Sequence, residues 1–419
     1  MRGSFALLLV GVLSGSCVEV ESYYRDVGIP LSDAPGADAA PPEDAELDAG
    51  AHIGADATRA VLASIGERVV LAELRTFEER AEALEVAARA ASTGGATELQ
   101  AARDAWRAAM ESWQRLEVVQ LGPAGLASVA LGGRGLRDEI DAWPLLSRCG
   151  IDQRTVSGVH ADAAALGADR IDVRGLAAIE YLLFEDGADN GCGATAEINA
   201  SGSWAALGDA EIRRRRTVYA HTAASVVRAR AASLRTAWEP EGENFLGAFS
   251  SAGAGSAVYS SAQVGLNAVS DALVYLYKEV ADYKLGIPAG LRLECTSDIC
   301  PEQVESRWAG ASLAHLRANL VGFESAYLGA PAGTEGAGFD DLLRSIGAEA
   351  LDTRIQAEIA AAYTAIDALE GPLEAALVTD REGVVALHDA IRALADSFRV
   401  EVVSLLDLQP SMRIEGDND

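Results

Sequence analysis

One carboxylate stands inside the most apolar stretch of the chain. Residues 174–184, Arg-Gly-Leu-Ala-Ala-Ile-Glu-Tyr-Leu-Leu-Phe, place Glu180 among apolar side chains. We predict a helix that begins after Asp172, whose carboxylate would cap the first turn, and that ends before Asp186-Gly187. The apolar positions are too dense for a one-sided surface helix, so this helix is predicted to lie inside a bundle. Glu180 must then be paired, hydrogen-bonded, metal-bound or protonated, either as a functional acid or as a structural one satisfied by an arginine or by backbone amides.

A small residue is expected to leave space beside this carboxylate. Ala177 precedes Glu180 by three positions, so the two share one face of the helix. We predict that polar groups from other helices line this space, and that a water, an ion or a small ligand occupies it. Glu180 is also the candidate metal ligand. The candidate ligand-binding residues are Glu180, Tyr181, Asp141, Arg317 and His315.

Composition and motifs exclude several classes of function. The formal net charge of −29 opposes binding to nucleic acid, whose phosphates would be repelled, and is compatible with cationic ligands such as metal ions. No two histidines lie within one helical turn, so a zinc-protease helix of the HExxH type is excluded. Phosphate-binding GxxxxGK[ST] loops and GxSxG nucleophile turns are missing too. The sequence assigns no definite cofactor, and a metal ion, iron, is the candidate.

The first residues resemble an export signal. A short basic start and an apolar run are followed by small residues and Cys17, as at a lipoprotein cleavage site. We expect residues 1–17 to be the signal peptide and Cys17 to be lipidated, with plain secretion as the alternative. Because the residue after Cys17 is Val18 rather than Asp, an outer-membrane anchor is expected. Residues 18–57 are acidic and proline-containing, and we predict a disordered tether.

The other four cysteines are expected to form disulfides. An even number of cysteines in an exported protein predicts two bridges, and four cysteines allow three connectivities. We favour the pairs of sequence neighbours, Cys149–Cys192 across the central helix and Cys295–Cys300 in a short loop. Reduced thiols or a metal site are the alternative, but the spacing is not of the CxxC kind.

The elements that must position these residues are predicted to be helices throughout. Period-two alternation is missing, and Trp106, Met110 and Trp113 form a stripe on one helical face that is typical of a core. Breaks near 240–255 divide the chain into an N-terminal bundle, 58–240, and a C-terminal bundle, 241–419. The fold class is therefore all-α, with two packed helical bundles. Outside the central stretch, helices are predicted over 58–92, 96–120, 209–238, 256–285, 301–328, 339–347, 349–369 and 382–407.

Several stretches together resemble the imelysin-like proteins, in the same order along roughly residues 60–419. The resemblance implies two four-helix-bundle-like domains in an exported bacterial protein, often a lipoprotein, with a site near the central helix. The stretches are Gly175–Phe184, Ala105-Trp106 through Trp113 to Gly122-Pro123, Ile140–Pro144, Lys284–Pro288, His315–Leu320 and Leu405–Asp407 through Glu415–Asp417.

The family motif is Gly-x-His-x-x-Glu, whose His and Glu could hold a metal together. Gly175 and Glu180 match it, but Ala177 stands where the His would be. An alanine neither ligates a metal nor shuttles a proton, and one carboxylate is a poor transition-metal site. The resemblance thus implies metal chemistry that this chain departs from at one decisive position.

Three functions follow as hypotheses. The first is a lipid-anchored envelope protein that captures a metal ion, iron above all, or a metal-bearing ligand, together with partner proteins of iron uptake. The second is a metal-dependent peptidase whose replacement donors, such as His315, His221, Asp141 or Glu117, converge on Glu180. The third is an envelope interaction protein without a small ligand. Catalysis is the less favoured hypothesis, and no catalytic residue is assigned.

Overall fold

A computed structural model describes residues 53–411, whose regular elements are all helices joined by turns and loops, without strands. They belong to one compact unit. The predicted signal peptide, Cys17 and nearly all of the predicted tether lie outside the described residues. None of the helices in the described part of the chain combines the length and the apolar character that a membrane span requires.

The helices follow one another with short connections. Three stretches continue them as wider π-helical turns, Ile65–Leu71, Leu276–Gly286 and Ser397–Val402. Short 3-10 turns cover Gly122–Ala124, Val159–Ala161, Ile171–Val173 and Pro301–Gln303. The α-helices are α1 Ala55–Ser64, α2 Ala72–Ala91, α3 Ala96–Glu117, α4 Leu136–Ile140, α5 Arg148–Ser157, α6 Ala163–Gly167, α7 Gly175–Phe184, α8 Glu197–Ala200, α9 Ser203–Leu207, α10 Asp209–Trp238, α11 Phe245–Ser250, α12 Ala262–Leu273, α13 Ser312–Leu328, α14 Phe339–Ser345, α15 Glu349–Asp367, α16 Leu373–Thr379, α17 Arg381–Asp396 and α18 Val403–Leu405.

Two groups of helices form the core. In the first, α2 packs on α3 and α10, and α7 packs on α3 and α10. In the second, α15 packs on α13 and α17, and the π-helical stretch Leu276–Gly286 packs on the same two helices. The all-α prediction is confirmed. The domain boundary near residue 240 falls between the two groups in sequence and stays a prediction.

Helices α3 and α13 join the two groups. Gly322 of α13 lies against the backbone of α3, where a Cβ atom would come within 2.3 Å of the carbonyl oxygen of Arg115. On another face of α3, the predicted core stripe is buried, with Trp106, Met110 and Trp113 each at most 1% exposed. Helix α3 therefore connects the first core to the second.

Helix α7 is buried along its whole length. The indole of Trp106 donates a hydrogen bond of 2.8 Å to the carbonyl of Leu176, and the hydroxyl of Tyr219 donates one of 2.6 Å to that of Val173. Gly175 has a φ of 85°, and a Cβ atom there would lie 2.7 Å from the carbonyl oxygen of Ile140. The glycine lets the start of α7 approach the end of α4, which fixes where the rest of α7 points.

Three local predictions were wrong. Asp172 does not cap α7, because its carboxylate pairs with Arg170, and Asp141 supplies the capping oxygen instead. The stretch 301–328 is helical only from Ser312 onward, apart from the turn Pro301–Gln303. The predicted helix over 256–285 begins at Ala262. Short helices such as α16 were missed because they carry too few residues to show a period.

Both disulfides are present with the predicted pairing. Cys149 of α5 bonds to Cys192, with their Cα atoms 4.5 Å apart. Cys295 bonds to Cys300, with a Cα–Cα distance of 5.8 Å. The first bridge ties the loop that follows α7 to α5, and α5 in turn borders the cavity described next.

Candidate functional site

Glu180 lies at the wall of a cavity of about 420 Å³. Its side chain is buried, and Oε1 accepts a hydrogen bond of 3.0 Å from the backbone amide of Ala309. Burial raises the pKa of Glu180 to about 8; the amide of Ala309 opposes the shift, and the negative charge of Glu305 adds to it. At neutral pH the carboxyl is therefore largely protonated and can donate a hydrogen bond into the cavity.

The cavity is built from both groups of helices. Arg148 at the start of α5 and Ala177 of α7 come from the N-terminal group. Tyr283 of the π-helical stretch and the loop residues 302–304 and 306–308 come from the C-terminal half of the chain. Ala177 lines the cavity beside Glu180, so the position that holds a histidine in the family motif here contributes only a methyl group.

Asp141 caps α7 from outside the helix. Its Oδ1 accepts a hydrogen bond of 3.1 Å from the backbone amide of Ala177. Its other oxygen is buried and has no hydrogen-bond partner in the described part of the chain. Burial raises the pKa of Asp141 to about 8, and the charges of Glu117 and Glu305 reinforce this shift. Asp141 therefore positions the helix that carries Glu180.

A buried polar cluster lies at the junction of the two helix groups. The ammonium of Lys284 is 3.1 Å from Glu305 and 3.4 Å from Glu117, and both acids are buried with it. It also donates hydrogen bonds to the amide oxygens of Gln114, at 2.5 Å, and Asn319, at 3.1 Å. Although burial opposes it, the charge of Lys284 holds the pKa of Glu305 at about 2. Glu305 is therefore ionised at neutral pH, whereas Glu180 and Asp141 are largely protonated.

The other predicted site residues have separate surroundings. Tyr181 is buried; its hydroxyl donates to Asp152 at 3.0 Å, and its ring lies 5.2 Å from that of Trp308, which lines the cavity. His315 is buried, with Nδ1 3.7 Å from a carboxylate oxygen of Glu305 in the polar cluster. Tyr181 thus supports the cavity wall, and His315 belongs to the cluster.

Arg317 is not brought to Glu180. Its side chain is 47% exposed, its guanidinium donates a hydrogen bond of 2.5 Å to Asp367, and it stacks over the ring of Tyr363. Two residues along a helix correspond to more than half a turn, so Arg317 and His315 point to different sides of α13.

The metal donors considered from the sequence do not converge on Glu180. Among residues 53–411, no three His, Cys, Asp or Glu side chains are placed to hold a metal ion. Glu117 is engaged by Lys284 and by the hydroxyl of Tyr275 at 2.7 Å, and His221 lies beside Arg89, with 3.4 Å between their nitrogens. The described residues therefore offer no protein-only site for a transition metal.

Several residues of the site were not foreseen. Arg148, Arg307 and Trp308 escaped because no local pattern marks them, and because 301–311 was expected to be helical; Lys284 lies in a stretch that carries the family resemblance but was not assigned to the site. Lys284 did carry a weak signal, since it is one of only two lysines in the chain and stands in an otherwise mostly apolar segment.

The chain matches one protein family over most of its length. The family model of imelysin, peptidase M75, matches residues 70–400. The chain belongs to the imelysin family. It is 27% identical over 316 residues to iron-regulated protein A of Synechococcus elongatus, an alignment that covers 74% of this chain and 76% of the relative.

Solved structures of imelysin-like proteins share the fold. A protein from Parabacteroides distasonis described as an iron-regulated protein A precursor superposes with a TM-score of 0.66 at 20% identity, covering 85% of this chain and 97% of its own. An imelysin-like protein from Psychrobacter arcticum gives a TM-score of 0.63 at 16% identity, covering 86% and 98%. At these identities the similarity establishes the fold.

Proposed function

We propose that this imelysin-family protein binds a small ligand in the cavity over Glu180 and serves iron acquisition at the cell envelope. The observation that carries the proposal is a protonated, buried acid on the central helix that borders a cavity of about 420 Å³. No arginine of residues 53–411 lies within ion-pair distance of Glu180; its carboxyl is held instead by the backbone amide of Ala309, and it borders the open space of the cavity rather than a sealed core. The relation to iron-regulated protein A supports the link to iron.

Iron is proposed to arrive as a chelate rather than as a bare ion. With Glu180 as the one acidic side chain from α7, the cavity lacks the several donors that a transition metal needs. A chelate brings its own donor atoms, and the protein then has to recognise the organic ligand and its shape. Glu180 would contact this cargo through its hydroxyl.

Peptidase activity is the less favoured function. A metallopeptidase needs about three protein ligands around its metal and an open position for water. Ala177 removes one donor of the family motif, and the replacement candidates lie elsewhere. Ala177, which removes a metal donor, also leaves room for a ligand beside Glu180.

The proposed place of action is the outer membrane, through lipidation of Cys17, with envelope proteins of iron uptake as partners. A lipid-anchored protein should fractionate with membranes, and Cys17→Ser should release it. Recovery of the wild-type protein in the soluble fraction would refute the anchor.

Binding is tested by calorimetry with ferric chloride and ferric citrate as probes. We expect ferric citrate to bind the wild type and to bind Ala177→Trp at least tenfold more weakly, since an indole at position 177 fills the cavity. Glu370→Gln, on an exposed residue, is the matched control for Glu180→Gln. Tight binding of the bare ion that persists in both Glu180→Gln and Ala177→Trp would overturn the proposal.

A further inference from the structure

Two arginines at the cavity have few acidic partners. The guanidinium of Arg307 lies 4.5 Å from the centre of the Trp308 ring, and that of Arg148 lies 5.6 Å from the same ring. Both side chains are partly buried. Two like charges on one aromatic ring repel each other unless an anion lies between or beside them.

The acids within reach do not neutralise this pair. Arg148 has one carboxylate at the edge of ion-pair distance, that of Glu185 at 4.0 Å. No carboxylate of residues 53–411 lies within 4.0 Å of Arg307. Glu294 and Glu302 also line the cavity, but both are exposed at its rim. Most other arginines around the site are paired, as Arg174 is with Glu139.

The electrostatic surroundings of Arg307 also favour a bound anion. Burial and the nearby charge of Arg148 lower the pKa of the Arg307 guanidinium, although the more distant carboxylates of Glu185 and Glu302 partly oppose this shift. Partial burial of a cation that has no carboxylate within ion-pair distance costs free energy, and a bound carboxylate or phosphate would offset that cost. Guanidinium groups bind such anions through paired, charge-assisted hydrogen bonds.

We infer that the ligand of this cavity is a small anion bearing carboxylate or phosphate groups, held by Arg148 and Arg307, whose guanidiniums both lie close to the ring of Trp308. The inference rests on the proposed function and adds the chemical class of the ligand. The anion can arrive free or as the organic part of a ferric chelate, because both present the same acidic groups. Glu180, which is bound to the same loop through the amide of Ala309, supplies a neutral donor that does not repel the anion.

The test is calorimetric titration of the full chain with citrate, ferric citrate and inorganic phosphate. The variants are Arg307→Gln and Arg148→Gln, with Arg213→Gln on an exposed position of α10 as a control that loses the same charge. We expect at least one probe to bind the wild type. Its affinity should fall about tenfold or more in each cavity variant and stay within about twofold in the control.

Ionic strength provides a second readout. Affinity of the wild type should weaken between 50 mM and 500 mM salt, and the salt dependence should be smaller in Arg307→Gln. Binding of citrate alone would identify the free anion as ligand, whereas binding of ferric citrate alone would identify the chelate.

The inference and the proposed function can fail separately. If a probe binds, is blocked by Ala177→Trp, and is unaffected by both arginine substitutions and by salt, the cavity binds its ligand without the arginine pair and the inference is wrong. If no probe binds the wild type at millimolar concentration, the anion class is also wrong. If a probe binds equally well to the wild type and to Ala177→Trp, the proposed cavity itself is wrong.

Discussion

The carboxyl of Glu180 accepts a hydrogen bond of 3.0 Å from the backbone amide of Ala309. Glu180 belongs to the central helix of the N-terminal group, and Ala309 lies in the loop that leads into α13 of the C-terminal group. The contact therefore joins α7 to the loop that carries Arg307 and Trp308. It places the protonated acid and the arginine pair on one cavity.

The first prediction concerns pH. Since the pKa of Glu180 is raised from its ordinary value of 4.5 to about 8, the folded protein binds this proton more tightly than the unfolded chain. The resulting contribution to the free energy of unfolding is fully present below about pH 4.5. It falls as the pH rises toward 8, by about 1.4 kcal/mol per pH unit at most.

Glu180→Gln, which mimics the protonated acid, should be close to the wild type in stability at pH 5 and more stable than it at pH 8. Chemical denaturation across this range measures the difference, and Glu370→Gln serves as control. Parallel stability curves for the wild type and Glu180→Gln would contradict the assigned pKa. A loss of about 3–5 kcal/mol at every pH would instead indicate a buried ion pair.

The second prediction concerns the buried cluster. Lys284→Met removes the cation that lies between Glu117 and Glu305, and should cost about 3–5 kcal/mol of unfolding free energy because two buried acids lose their counterion. Lys278→Met, at the other lysine, which is only partly buried, should cost less than about 1 kcal/mol. Urea denaturation at pH 7 measures both. Equal losses would show that Lys284 contributes no more to stability than the partly buried Lys278.

The third prediction concerns Gly175. Its substitution by alanine combines an unfavourable φ of 85° with a contact of 2.7 Å to the carbonyl oxygen of Ile140. We expect a loss of about 1–3 kcal/mol, larger than that of Gly202→Ala, where φ is 71° but a Cβ atom meets nothing within 4 Å. Thermal denaturation of the two variants separates the clash from the backbone conformation. A smaller loss in Gly175→Ala than in Gly202→Ala would refute the close approach of α7 to α4.

The fourth prediction concerns the longer disulfide. The Cys149–Cys192 bridge closes a loop with a sequence separation of 43, and Cys149→Ser with Cys192→Ser should cost about 3–4 kcal/mol through the entropy of the unfolded chain. The matched double substitution at Cys295 and Cys300, whose sequence separation is 5, should cost less unfolding free energy. Peptide mapping without reduction, followed by urea denaturation of both double variants, tests pairing and energy together. Equal costs would contradict the loop-entropy explanation.

Much of the fold could be predicted because helical periodicity and breaks are local. The stripe of Trp106, Met110 and Trp113, and the burial of Glu180, follow from spacing alone. Both disulfide pairs followed from sequence proximity. The capping of α7 by Asp141 was not predicted, because that contact spans 36 residues and depends on how Gly175 lets two helices approach each other.

The composition of the site was predicted less well, because it depends on tertiary packing. Arg317 was a candidate ligand-binding residue, but its position on α13 directs it to Asp367 at the surface. Arg307 and Trp308 lie in a loop whose path is fixed by contacts with α7, and Ser306, in the left-handed region with a φ of 52°, turns the chain there. Such contacts between distant segments leave no period in the sequence.

The most direct measurement is a crystal structure of the protein soaked with ferric citrate, with anomalous diffraction recorded at the iron edge. We expect one iron peak inside the cavity bordered by Glu180 and Ala177, with citrate oxygens, rather than protein side chains, as most of its ligands. The peak should be absent from crystals of Ala177→Trp. An iron bound mainly by protein carboxylates elsewhere, or an empty cavity in a crystal whose solution binds ferric citrate, would contradict the claim that this cavity is the binding site.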